Sequence, residues 1–97
     1  MSLLVEYTVL EGKAAAQIEA LETFVAGLKR LADKSFNYTA FETGDPTRFI
    51  ALLEFDDDAG KQHFLESAPF ADYRTGSRER FPSPPQTTQI RLVASTR

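Results

Sequence analysis

Apolar and polar positions divide this 97-residue chain into six periodic segments. Residues 2–10 (SLLVEYTVL) are β-rich with one charge, Glu6, and predict a strand that Glu11-Gly12-Lys13 ends. From Ala14 the spacing lengthens: Ile18, Leu21, Phe24 or Val25, Leu28 and Leu31 recur at three- and four-residue steps. Such steps build one apolar face of a helix reaching about Ala32. Gly27 lies beside that stripe, and a close approach to a neighbouring element is the preferred explanation for a glycine there. Alternation returns over Ser35–Thr43, Gly44-Asp45-Pro46 signals a turn, and Arg48–Phe55 (RFIALLEF) forms the second arm of an antiparallel hairpin. Asp56, Asp57 and Asp58 set negative charge at the start of a helix carrying Phe64 and Leu65. That helix pauses at Ser67-Ala68-Pro69, and Pro69 opens a second helical piece holding Phe70 and Tyr73. A proline-stiffened loop, Phe81–Gln86, precedes a last strand over Thr87–Thr96.

The predicted order is β-α-β-β-α-β, an α+β, ferredoxin-like arrangement of one domain over residues 1–97. It has a four-stranded antiparallel sheet with its helices on one face. Alternation assigns Leu3, Val5, Tyr7, Val9, Phe36, Tyr38, Ala40, Phe49, Ala51, Leu53, Phe55, Ile90 and Leu92 to the helix-covered side. The opposite side keeps Leu4, Leu10, Phe41, Ile50, Leu52 and Val93, with Glu6, Arg48, Glu54 and Arg91 among them. Each large apolar side chain gains roughly 1.5–3 kcal/mol on full burial, so this second face calls for a partner. A second copy of the chain, sheet against sheet, is the simplest one.

Composition narrows the chemistry. A net charge of −3 disfavours a nucleic-acid surface, zero Cys removes Cys-based zinc sites, iron–sulfur clusters and thiolate nucleophiles, and a single His removes metal sites needing two imidazoles from one chain, so no metal site is expected. No apolar run is long enough for a membrane span and no leader pattern opens the sequence, so a cytoplasmic domain is expected. No glycine-rich phosphate loop for a flavin is present. The serines stand in no nucleophile-like context. Arg74, Arg78 and Arg80, interleaved with Asp72 and Glu79, read as a solvated helix face, an anion clamp being the alternative.

The stretch Phe49-Ile50-Ala51-Leu52-Leu53-Glu54-Phe55, its acidic sequel, His63 and Ser67-Ala68-Pro69-Phe70 are similar to the pattern of the antibiotic biosynthesis monooxygenase-type domain of the dimeric α+β barrel superfamily. That family often has Trp where this chain has Phe55. The resemblance implies a homodimer acting, without a cofactor, as a monooxygenase on a small phenolic or quinol-like molecule. It implies His63 as proton acceptor, with Tyr7, Tyr38 or Tyr73 bonding the substrate oxygen and Phe36, Phe49 and Phe55 walling the pocket. Haem-degrading relatives carry their ligand beyond the place of His63, where this chain has Tyr73 and Arg74, so haem is not expected. Read from the residues alone, His63 is a helix-anchoring side chain and the tyrosines bond nearby carbonyls. The rival functions are a non-catalytic homodimer that binds a small molecule, and an isomerase or decarboxylase using His63 with a tyrosine.

Overall fold

The computed structural model describes residues 1–97. Its elements are β1 (Ser2–Thr8), α1 (Ala14–Leu31), β2 (Phe36–Glu42), β3 (Arg48–Phe55), α2 (Asp58–Leu65), α3 (Ala68–Arg80) and β4 (Gln86–Ile90). The strands form one antiparallel sheet in the order β2-β3-β1-β4, and the helices pack on one face, as the periodicities predict. No helix is long and apolar enough to cross a membrane.

The second helical region is two helices because two caps divide it. The Asp57 carboxylate accepts from the Gly60 N–H at 3.0 Å and starts α2. Ser67 ends it by donating to the Phe64 carbonyl at 2.8 Å, and the same hydroxyl accepts from Phe70 N–H to start α3. Gly27 is a close approach. A Cβ there would stand 3.1 Å from the Pro69 ring, where α1 meets the start of α3. Gly60 brings α2 still nearer to the chain entering β2, since a Cβ would lie 2.4 Å from the Ser35 carbonyl oxygen.

Two clusters fill the space between sheet and helices. Phe24, Leu28, Leu53, Phe55 and Phe64 make one; Tyr7, Val9, Leu21 and Phe49 make the other. Tyr38 and Tyr73 touch both.

The last strand departs from expectation in length and phase. It stops at Ile90 rather than Thr96 because Ile90 pairs with Ser2, the first residue of β1, so the neighbouring strand runs out. Residues 91–97 continue without strand pairing, and Leu92 and Val93 are 75% and 90% exposed. Leu3 pairs with Gln89 and Val5 with Thr87, so those polar residues share the helix side and Ile90 points to the open face. Residue 90 therefore lies opposite to its expected side, and Leu92 is not in the core. A period of two turns any one-residue slip across the Phe81–Gln86 loop into a change of face. Elsewhere the alternation holds: Tyr7, Phe49, Ala51, Leu53 and Phe55 are buried, whereas Leu4, Ile50 and Leu52 are only half-buried on the open face and Phe41 is 48% exposed.

Candidate functional site

The polar centre of the domain is Gln17, a fully buried amide on the sheet-facing side of α1. Its Nε2 donates to Tyr7 Oη at 2.7 Å and to Tyr73 Oη at 2.8 Å. Its Oε1 accepts from Arg80 Nε at 2.6 Å. Both amide hydrogens are thus committed, and β1, α1 and α3 are joined through one side chain. Arg80 is fastened further: Nη1 donates to the Gly76 carbonyl at 2.9 Å, and the Arg80 carbonyl accepts from Leu10 N–H at 2.7 Å. The guanidinium stands 5.5 Å from the Tyr73 ring centroid and 5.8 Å from that of Phe81. Nη2 is buried and has no acceptor. A buried unsatisfied donor costs about 1–3 kcal/mol, and more on a charged group.

The three tyrosines form one neighbourhood. Burial, then the nearby Tyr73 hydroxyl, pushes the Tyr7 hydroxyl well above the ordinary phenol range, and the same two causes act on Tyr38. Both stay protonated at neutral pH and do not serve as bases, and Tyr7 Oη accepts from the Gln17 amide. Aromatic contacts hold them. Tyr7 stacks on Phe49 at 5.7 Å, Tyr73 on Phe24 at 4.5 Å, and Tyr38 meets the edge of Phe24 at 5.0 Å.

A cleft of about 520 Å³ opens between α1 and the edge strand β2, with Ile18, Leu21, Tyr38 and Phe49 as its apolar wall. Glu22, Lys29 and Glu42 are its charged residues. A second groove, of about 590 Å³, runs between α1 and α3 past Tyr73 and Arg80. Helix α1 separates the two, and Gln17 sits within its buried face.

Sequence-predicted residues divide accordingly. Tyr7, Tyr38 and Tyr73 come together, and Tyr38 and Phe49 line the cleft while Tyr73 lines the groove. Phe36 and Phe55 line neither; they are paired across β2 and β3 and Phe64 of α2 packs against both, with Phe36 and Phe64 centroids 5.4 Å apart. They are core, not pocket wall. His63 lies apart from the tyrosines on a half-exposed surface of α2. Its Nδ1 is 3.1 Å from Ser35 Oγ and 3.2 Å from Asp33 Oδ2. Asp33 accepts from both the hydroxyl and the N–H of Ser35, which, with His63 beside it, holds its carboxyl below the usual range. The cluster contains Ser, His and Asp, yet both partners approach the same ring nitrogen. A nucleophilic triad needs them on opposite nitrogens. His63 therefore joins α2 to the turn after α1 rather than to the sheet.

Gln17 belongs to the site though no sequence motif marks it, and Arg80 belongs to it as a half-buried partner of Gln17 rather than as part of a solvated face. The signal for Gln17 is its place at 17, 21, 24, 27 and 28, the residues α1 buries, where a polar side chain interrupts an apolar face. Arg80 is not on a solvated face; charge count hid it among Arg74 and Arg78.

No protein-family model and no curated protein matches the sequence. Solved structures do. A protein of unknown function from Nitrosomonas europaea is 24% identical with a TM-score of 0.82 over 98% of this chain and 90% of that one. A Caulobacter crescentus structure, provisionally named an antibiotic biosynthesis monooxygenase, is 13% identical with a TM-score of 0.83 over 96% of this chain and 89% of the other. A structure named simply as an antibiotic biosynthesis monooxygenase is 12% identical with a TM-score of 0.80, covering 96% and 98%. The chain has the fold of the antibiotic biosynthesis monooxygenase-type domain.

Proposed function

We propose that the chain is a homodimeric, cofactor-independent monooxygenase for a small phenolic or quinol-like molecule. One observation carries the reading: a protonated, half-buried tyrosine, Tyr38, lines a mostly apolar cleft of a size suited to one or two aromatic rings. The substrate ring lies against Leu21, Phe49 and Ile18, and the Tyr38 hydroxyl donates to its phenolic oxygen as negative charge develops there. His63 lies outside this cleft, so the proton passes instead to Glu22 or Glu42 at the rim. The electron-rich anion then reduces O2 at a ring carbon. In a hydroquinone one ring C–H takes up one oxygen atom as C–OH, the ring is oxidised to the quinone, and the other oxygen atom leaves as water with the two phenolic hydrogens. Monooxygenase names among structures of this fold support the reaction class.

The dimer is supported by the open face of the sheet. Leu4, Phe41, Ile50, Leu52 and Ile90 leave apolar surface there, and the Arg48–Glu6 ion pair neutralises the charges at its middle. A face whose central charges are paired, with Glu54 at the strand end bonded to the Asn37 amide, repels its own copy little.

Oxygen consumption with a panel of hydroquinones and anthrone-like phenols tests the activity. Uptake by the wild-type protein, lowered at least about tenfold in Tyr38→Phe, is expected from loss of one oxyanion donor. No uptake with any member, or equal uptake by the variant, overturns it. The isomerase or decarboxylase reading needs His63 beside a tyrosine, an arrangement the fold does not provide. A non-catalytic binder of the same molecule is the second reading, favoured by the distance of the sole imidazole from the cleft; it predicts saturable binding with no oxygen consumed.

A further inference from the structure

The unsatisfied Nη2 of Arg80 marks a second place for a ligand, separate from the α1–β2 cleft. We propose that the groove between α1 and α3 is a binding site for the carboxylate of a small, singly charged organic acid, with Arg80 as its recognition group. Three of the guanidinium's contacts are defined: Nε holds Gln17, Nη1 holds the Gly76 carbonyl, and the plane lies near the Tyr73 and Phe81 rings. These fix the fork's orientation and leave Nη2 as a buried charged donor with nothing to accept from it. Glycine at position 76 makes room for this arrangement, since a Cβ would come within 2.8 Å of Nη1.

The lining of the groove sets the ligand class. Ala16, Ala20, Phe24 and Leu31 offer apolar surface for a hydrocarbon body. Glu19, Asp72 and Arg30 are the groove's charges besides Arg80 and leave a surplus of one acid, which repels a dianion such as phosphate more than it repels a single carboxylate held on the Arg80 guanidinium. The acid therefore has an apolar or aromatic body. Because Arg80 is bonded to Gln17, and Gln17 to Tyr7, the bound carboxylate also draws on the network that backs the tyrosine cluster.

Benzoate is the probe, titrated into the wild-type protein while the side-chain N–H resonances of Arg80 and Gln17 are followed by NMR. Saturable shifts at both residues are expected, with benzyl alcohol, its neutral analogue, producing none over the same concentrations. Arg80→Gln is expected to weaken benzoate at least tenfold. Equal binding of benzyl alcohol, absence of any shift, shifts confined to Tyr38 and Phe49, or unchanged affinity in Arg80→Gln would each overturn the proposal. The comparison of the two probes on wild-type protein decides the matter even where the variant fails to fold. Oxygen consumption plays no part in this test, so its outcome is independent of the activity proposed for the cleft.

Discussion

Arg80 and Gln17, sixty-three residues apart in the chain, meet at 2.6 Å inside the domain. The pair closes the last turn of α3 onto the first turns of α1, and through Gln17 onto Tyr7 of β1. Leucine at position 17 keeps the volume and leaves Arg80 Nε and two tyrosine hydroxyls without their partner. Gln17→Leu is expected to lower unfolding stability by about 2–4 kcal/mol, measured by urea denaturation. A neutral result would show that the amide is dispensable to the fold.

His63 provides a separation of roles. A side chain acting as general base contributes about 10²–10⁴-fold to rate, so His63→Ala would abolish turnover if the sequence-level assignment held. Its place in the Asp33–Ser35 clasp predicts retained oxygen consumption and a modest loss of stability. Kinetics and thermal melts on the same sample distinguish the two.

Acid should loosen two turns. The Asp33 carboxyl is held low chiefly by the Ser35 hydroxyl, and the Asp45 carboxyl chiefly by the Thr47 N–H, both below the ordinary 3.8. A depressed folded-state pKa adds stability that is full above the unfolded value and disappears as pH falls through the folded one. Stability should therefore decline below about pH 4, and Asp33→Asn with Asp45→Asn should flatten that decline while lowering the plateau at neutral pH. Denaturant midpoints between acid and neutral pH measure both effects.

Gly60→Ala forces a Cβ against the Ser35 carbonyl, which is backbone and cannot rotate away. A cost of about 1–3 kcal/mol is expected despite the better helix propensity of alanine. Gly44→Ala, with nothing within 4 Å of its Cβ, is the matched control and should fall within about 0.5 kcal/mol of wild type.

The strands and α1 were legible because their periods reflect which side is buried: Phe49, Ala51, Leu53 and Phe55 alternate with Ile50, Leu52 and Glu54 in the sheet as they do in the sequence. The phase of β4 was not, because Thr87-Thr88-Gln89 carries little apolar contrast and a loop with three prolines precedes it. Tyr7 and Tyr38 fall on the helix-covered side by alternation alone, whereas the place of Tyr73 beside them depends on how α3 packs on α1. Gln17 escaped because its value lies in contacts with residues 7, 73 and 80, which only the tertiary fold brings near. His63 shows the converse relation between chemistry and surroundings. Its chemistry made it the natural base, while its surroundings depend on the turn after α1.

Ile50 stands at the middle of the open face, opposite Glu6 on β1 and Phe41 on β2. In a sheet-to-sheet dimer the same position recurs on both copies, so one substitution buries two charges in the joint. Ile50→Asp should raise the dimer dissociation constant by more than about a hundredfold, since an unpaired buried carboxylate costs several kcal/mol. The change leaves the helix-covered clusters untouched, so circular dichroism should still report a folded domain. Size-exclusion with light scattering at micromolar concentration reads the outcome: wild type at twice the chain mass and Ile50→Asp at the chain mass of 10.8 kDa. A wild-type protein that runs as a monomer would leave Leu4, Phe41, Ile50, Leu52 and Ile90 facing water, and the proposed dimer would fail.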